Sequence, residues 1–277
     1  MKKVKIKFII YIGLLLLNMN LFAQDSNFYI YLCFGQSNME GQGVIEEQDK
    51  TVDSRFQVMQ TMVCKNPDRI KGTWRTAVPP LCQCTSGLSP SDYFGRTMVE
   101  KLPDSIKIAV INVSVGGCDI RLFDKDKYQN YKSTYTADWF TDKIKFYNGN
   151  PYKYLIDLAK TAQKDGVIKG ILLHQGETNT GNAQWPSYVK KIYNDLLTDL
   201  LLNPDSVPLL AGELVSAPNN CCSSMNTIIN KLPESIPTAH VISSSGCTAQ
   251  DNAHFDSEGY RILGKRYAEK MLSLLGY

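Results

Sequence analysis

Short apolar runs alternate with longer segments of helical spacing from residue 28 to the end of the chain. The run at 28–34 ends at Gly35, and the run at 106–113 ends near Gly116 and Gly117. Further runs lie at 167–173, 207–215 and 240–243. Brief apolar stretches bounded by turn formers read as strands covered on both faces. Between them, residues 91–101, 152–164, 188–202 and 256–275 carry apolar side chains at the helical period, and 225–232 fits one short helix. Pro103 and Pro204 stop two of these helices, and Ser257 stands where the N-cap of the last is expected. Residues 43–91 lack periodicity and are rich in turn formers, so they read as loop. Residues 119–149 form an insertion dense in aromatics, with Tyr128, Tyr131, Tyr135, Trp139, Phe140 and Tyr147.

Strands alternating with helices predict an α/β fold: a three-layer α/β/α sandwich around a mainly parallel sheet of about five strands. In such sheets, ligands bind outside the carboxyl ends of the strands.

The first 23 residues follow a different pattern. Lys2, Lys3, Lys5 and Lys7 precede an apolar stretch at 8–17, and Ala23–Gln24 offers a cleavage point. This reads as a secretory signal peptide over 1–23, leaving one domain at 24–277 and a secreted or periplasmic protein. The apolar stretch is too short to span a bilayer comfortably, and no later segment is long and apolar enough. No membrane partner is therefore expected after cleavage. The formal net charge is only +3, which gives no reason to expect nucleic acid as a partner. Eight cysteines in an exported chain favour disulfides over free thiols, although Cys33 falls inside the first strand and is expected to be buried and inert. The Cys82-Gln-Cys84 and Cys221-Cys222 spacings do not match zinc-ribbon patterns, and no metal or other cofactor is expected.

Three segments lie just past strand ends: Gly35-Gln-Ser-Asn-Met39, Gly116-Gly117 and His174-Gln-Gly-Glu177. Ser37 follows a glycine turn at a strand end, where backbone N–H groups can stabilise an oxyanion. A serine there is most often just a helix cap, so it needs a base within reach. Of three histidines, His240 opens a strand at the opposite end of the sheet, where a structural role is expected. His174 follows a strand directly and is expected to pack against the site. His254 lies in a loop three residues after Asp251, a spacing that lets the carboxylate bond the imidazole and fix its tautomer, as a serine triad requires.

These blocks resemble those of the sialic-acid-specific acetylesterase and acetylxylan esterase family, a branch of the SGNH (GDSL-like) hydrolases. Gly35-Gln-Ser-Asn-Met39 is similar to its nucleophile block, Val115-Gly-Gly-Cys-Asp-Ile120 to its second and His174-Gln-Gly-Glu177 to its third. Asp251-x-x-His254-Phe255, followed by Gly259-Tyr-Arg261, is similar to its last. Cys118 departs from the threonine usual in the second block. The resemblance runs from Phe28 to about Met271. It implies a flavodoxin-like SGNH fold and a carbohydrate O-acetylesterase acting on acetylated oligo- or polysaccharides, either acetylxylan or O-acetylated sialic acid. Ser37 would be the nucleophile and His254 the base, oriented by Asp251 or by Glu177. The oxyanion would be met by N–H groups of Ser37 and of Gly116 or Gly117, together with the Gln175 amide, Asn179 being the reserve. Gln36 and Asn38 would either brace the turn or touch substrate. Arg121 would either touch substrate or pair with a carboxylate of the insertion. The insertion aromatics would stack on sugars or form a small core of their own. Two other readings are a lipase or thioesterase on the same fold and a carbohydrate-binding protein without activity.

Overall fold

The computed structural model describes residues 24–216 and 220–277, so the expected leader at 1–23 lies outside the described residues. In chain order the strands are β1 (Asp25–Gly35), β2 (Phe56–Met59), β3 (Cys64–Lys65), β4 (Asp68–Arg69), β5 (Trp74–Thr76), β6 (Lys107–Ser114), β7 (Gly166–His174), β8 (Leu209–Gly212) and β9 (Ala239–Ile242). The helices are α1 (Ser37–Glu40), α2 (Pro90–Lys101), α3 (Tyr128–Thr134), α4 (Asp138–Lys145), α5 (Pro151–Ala162), α6 (Trp185–Leu200), α7 (Asn226–Ile229), α8 (Leu232–Ser235) and α9 (Ser257–Leu275).

Seven strands form the main sheet in the order β5-β2-β6-β1-β7-β8-β9, while β3 and β4 make a separate small hairpin. All neighbours in the main sheet run parallel except β2 and β5. The expectation of about five strands misses β2 and β5, both inside the stretch read as loop. At four and three residues they are too short to show a period.

Alternation along β1 sends its side chains to two separate cores. Ile30, Leu32 and Phe34 face Leu155, Leu158 and Ala159 of α5 and Val189 and Ile192 of α6. Tyr31 and Cys33 face Phe94 and Met98 of α2 and Tyr260, Leu263, Tyr267 and Met271 of α9. A strand buried on both faces is apolar throughout, which is why its sequence shows a run and not an alternation.

Helix ends follow local chemistry. Ser89 and Asp92 close a capping box on α2, with Pro90 at the first helical position. The N-cap of α9 is Asp256, whose carboxylate accepts the Gly259 N–H; Ser257, expected as the cap, is the first helical residue. The helix expected over 225–232 is broken into α7 and α8. Disulfides join Cys64 to Cys84 and Cys221 to Cys222, whereas Cys33, Cys82, Cys118 and Cys247 are buried thiols. The expected preference for disulfides over free thiols thus holds for four of the eight cysteines, and Cys33 is buried as its place in β1 led one to expect. Among the described residues no helix is long and apolar enough to cross a membrane.

The aromatics of the insertion divide between buried and exposed positions. Tyr131, Phe140 and Tyr147 are buried in the first core, while Tyr135 and Trp139 remain exposed and pack edge to face.

Candidate active site

β1 lies between β6 and β7, and the chain builds outward from it in both directions, so the carboxyl ends of these strands form a switch-point crevice. Gly35 ends β1 at φ +153°, and a Cβ there would lie 2.0 Å from the His174 carbonyl oxygen. Only glycine lets the ends of β1 and β7 approach this closely. The chain then turns at Gln36, and Ser37 opens α1.

Ser37 Oγ lies 2.9 Å from His254 Nε2. On the other side of the ring, His254 Nδ1 lies 2.9 Å from Asp251 Oδ2 and 3.1 Å from Oδ1. Asp251 Oδ1 also accepts the N–H groups of Ala253 and His254, each at 2.7 Å, so one carboxylate shapes the turn and engages the ring. Partial burial opposes the Asp251 charge, but the bonds from His254 and the two amides outweigh it and hold the carboxyl below its ordinary range. A hydroxyl bonded to an imidazole that is itself held by a carboxylate can transfer its proton as the oxygen attacks a carbonyl.

Glu177 does not contact the ring. Its Oε1 accepts Asn38 Nδ2 at 2.5 Å, and its Oε2 is buried without a partner among the described residues. Burial raises this carboxyl to about 6 against the opposing bond from Asn38. Asn38 is fully buried. Besides Glu177, its Nδ2 reaches the Ala253 carbonyl at 2.9 Å, and its Oδ1 accepts Tyr260 OH at 2.6 Å and Phe255 N–H at 3.3 Å. Asn38 thus joins the serine turn to the histidine turn, and every polar atom of its side chain is engaged away from the crevice.

Gln175, Gln36 and Asn179 are buried braces as well. Gln175 Nε2 faces three acceptors, Gln36 Oε1 at 3.0 Å, the Cys118 carbonyl at 3.1 Å and Asn179 Oδ1 at 2.7 Å, while its Oε1 accepts Trp185 Nε1. With two hydrogens and three acceptors it has nothing left for an oxyanion, contrary to the sequence-based expectation. Asn179 Nδ2 donates to Asp119 Oδ2 at 2.8 Å, and its Oδ1 accepts the Ile120 N–H and Gln175 Nε2. Arg121 takes the second of its two expected places: its guanidinium grips both oxygens of Asp119 at 2.8 Å.

Of the two glycines expected to serve an oxyanion, Gly116 donates its N–H to the buried Glu40 carboxylate. The N–H groups of Ser37 and Gly117 have no partner among the described residues. Gly117 sits at φ +73°, and a Cβ on it would meet the Trp139 ring at 2.6 Å, so the exposed indole lies over this glycine. Cys118, standing where the resemblance led one to expect threonine, keeps a weak contact from its thiol to the Gly35 carbonyl at 3.7 Å.

Two clefts open beside these residues. One, of about 890 Å³, is lined by Asp251 with Ser216, Asn220, Ser245, Thr248 and Gln250. The other, of about 590 Å³, is lined by Glu40 with Gln42, Val44, Gln83, Lys143 and Phe146. His174 is fully buried, its Nε2 on the Glu213 carbonyl at 3.1 Å and its ring edge on Phe255, which fits its expected packing role. Burial lowers it to about 4, so it is neutral at ordinary pH. An acidic cluster of Asp124, Asp126 and Asp195 is already filled by the Lys191 ammonium, at 2.9, 2.7 and 2.8 Å.

Sequence reasoning did not single out Glu40 or Lys143, and it gave Tyr260 only as part of the last block, without a role. Glu40 stands three residues after Ser37, one helical turn on, which is a legible signal for a neighbour. Lys143 is 103 positions from its partner Glu40 and leaves no such signal.

Among solved structures, the fold is similar to that of a protein from Arabidopsis thaliana, at TM-score 0.66 and 18% identity, covering 90% of this chain and 98% of that one. NanS gives 0.64 and 14%, covering 92% and 99%. A novel carbohydrate acetylesterase from Xanthomonas citri gives 0.62 and 16%, covering 90% of this chain and 57% of that one. At such identities the likeness bears on the fold. In sequence, residues 27–273 match the family described as carbohydrate esterase, sialic acid-specific acetylesterase. With nearly the whole described chain inside that match, this protein belongs to the sialic acid-specific acetylesterase family of carbohydrate esterases and is a carboxylic ester hydrolase.

Proposed function

We propose that this protein is an exported serine esterase that removes O-acetyl groups from acetylated xylan or related hemicellulose, or from O-acetylated sialic acid, through an acyl-enzyme on Ser37. The observation that carries the reading is the continuous bond path from Ser37 Oγ through the His254 ring to Asp251, with 2.9 Å on each side of the ring.

In this mechanism Ser37 Oγ attacks the acetyl carbonyl while its proton passes to His254 Nε2. Asp251 holds the Nδ1–H and stabilises the imidazolium. The tetrahedral oxygen is met by the Ser37 and Gly117 N–H groups, neither of which has a partner among the described residues. Collapse breaks the bond to the sugar oxygen, which leaves with the proton returned by His254. Water, activated by the same imidazole, then attacks the acetyl-serine and releases acetate. Gln36, Asn38, Gln175 and Asn179 hold these parts in place. The exposed Trp139 ring above Gly117 suits stacking on a sugar face, and the hydroxyl and amide lining of the larger cleft suits sugar hydroxyls. Export rests on the lysine-led apolar leader at 1–23.

The test is acetate release from acetylated xylan and from O-acetylated sialic acid by wild type and by Ser37→Ala. Loss of at least about 1000-fold in the variant is expected. Equal release by both proteins refutes the nucleophile. Cleavage of a chromogenic acetyl ester with neither glycan touched keeps the chemistry and removes the substrates. Export is checked by sequencing the N-terminus of the exported protein, expected to begin near Gln24.

A further inference from the structure

Glu40 is the last residue of α1, one turn beyond Ser37, and only 4% exposed. One carboxylate oxygen accepts the Gly116 N–H, and the other lies 2.7 Å from Lys143 Nζ. A Cβ placed on Gly116 would lie 3.0 Å from Glu40 Oε2, 2.7 Å from Lys143 Nζ and 3.6 Å from Ser37 Cβ. The three side chains therefore converge on one point at the carboxyl end of the sheet. Lys143 comes from α4 of the insertion and is the ammonium paired with this carboxylate.

A buried carboxylate this close to the nucleophile is unfavourable for an esterase. Negative charge develops on the carbonyl oxygen as Ser37 attacks, and an uncompensated anion nearby repels it. At an effective dielectric of ~20, a unit charge several ångströms away corresponds to roughly 10- to 100-fold in rate. The ammonium of Lys143 cancels that repulsion. Meanwhile the Glu40 carboxylate anchors the Gly116 amide, which sets the peptide leading to the free Gly117 N–H.

We infer that Lys143 is a positioning residue of the esterase reaction: it neutralises Glu40 and holds it on Gly116, so that the oxyanion forms beside a neutral pair. Through Lys143 the insertion contributes to the transition state as well as to the shape of the cleft. The inference rests on Ser37 being the nucleophile.

The test compares wild type, Ser37→Ala, Lys143→Met, Lys143→Arg, Glu40→Gln and the double variant Glu40→Gln/Lys143→Met on a chromogenic acetyl ester, with thermal unfolding of each. Lys143→Met is expected to lose roughly 10- to 100-fold in kcat with KM changed by less than about threefold. Lys143→Arg restores most of the rate. The double variant also recovers, because glutamine still accepts the Gly116 N–H while neither charge remains. A double variant as slow as Lys143→Met overturns the inference, because a mere tether between α4 and α1 would be lost equally in both. So does a Lys143→Met loss that appears only in KM. If Ser37→Ala retains wild-type activity, the nucleophile reading fails instead, and that failure is separate.

Discussion

Asn38→Leu separates the bracing role of this side chain from the substrate contact its position beside Ser37 suggests. Leucine nearly preserves the volume while removing all of the hydrogen bonds. Four partners then lose their bond: the Phe255 N–H and the Tyr260 hydroxyl of two fully buried residues, and the Glu177 carboxyl and the Ala253 carbonyl of two partly buried ones. An unsatisfied buried polar group costs about 1 to 3 kcal/mol. Partial relaxation, mainly of Glu177 and Tyr260, brings the expected loss to about 4 to 6 kcal/mol, in the range seen when a buried network is broken. For a chain of this size that lowers the melting temperature by roughly 10 to 20 °C. Ala253 and Phe255 flank His254, so its ring also loses its fixed approach to Ser37. The assay is thermal unfolding by circular dichroism, with kcat and KM on a chromogenic acetyl ester measured well below the melting point. The expected result is a large stability loss and a fall in kcat, with KM moving little. A variant destabilised by less than about 1 kcal/mol whose KM alone rises would refute the reasoning and make Asn38 a substrate contact.

Two further predictions concern pH. His174 is lowered to about 4 by burial, partly offset by its bond to the Glu213 carbonyl, whereas the unfolded chain takes up this proton near 6.5. The depressed value means stability is intact above about 6.5 and lost as pH falls toward 4, by at most about 3 kcal/mol. In melts across that window, His174→Gln should gain on wild type as pH drops; a constant difference would rule this out. Glu177 is raised to about 6 by burial, so wild type loses up to about 2 kcal/mol as pH rises from 4.5 through 6. Stability of Glu177→Gln relative to wild type should therefore climb by that amount over the same range in denaturant titrations, and a flat or falling difference would show that the carboxyl is not strained by burial.

Local chemistry explains what could be read from the chain alone. The run at 28–34 had to be a central strand because both its faces are apolar, and β1 occupies that place. Asp251 and His254 are three residues apart, so their bond depends on a single turn that the carboxylate itself shapes. Strands β2 and β5 were illegible because three or four residues carry no period; β2 is placed by pairing with the distant β6, and β5 by pairing with β2. The blocks around Ser37, Gly116, Gln175 and His254 mark which segments meet, but a motif does not say what each polar atom bonds.

That assignment belongs to the tertiary structure. Ser37 and His254 stand 217 positions apart and meet because α9 packs beside α2 on one face of the sheet, carrying the histidine turn to the end of β1. Gln175 was an oxyanion candidate by position, yet three acceptors from three different segments consume its two hydrogens. Gly116 was a candidate by motif, yet the Glu40 carboxylate claims its N–H, and Lys143 from a distant helix holds that carboxylate. The sequence by itself determined the alternation of strands and helices, the turn at Ser37 and the Asp251–His254 pair, because each is written in a pattern of neighbouring residues. Only the folded chain decided which donors stay free for substrate, since buried hydrogen bonds are allotted by whatever long-range packing brings alongside them.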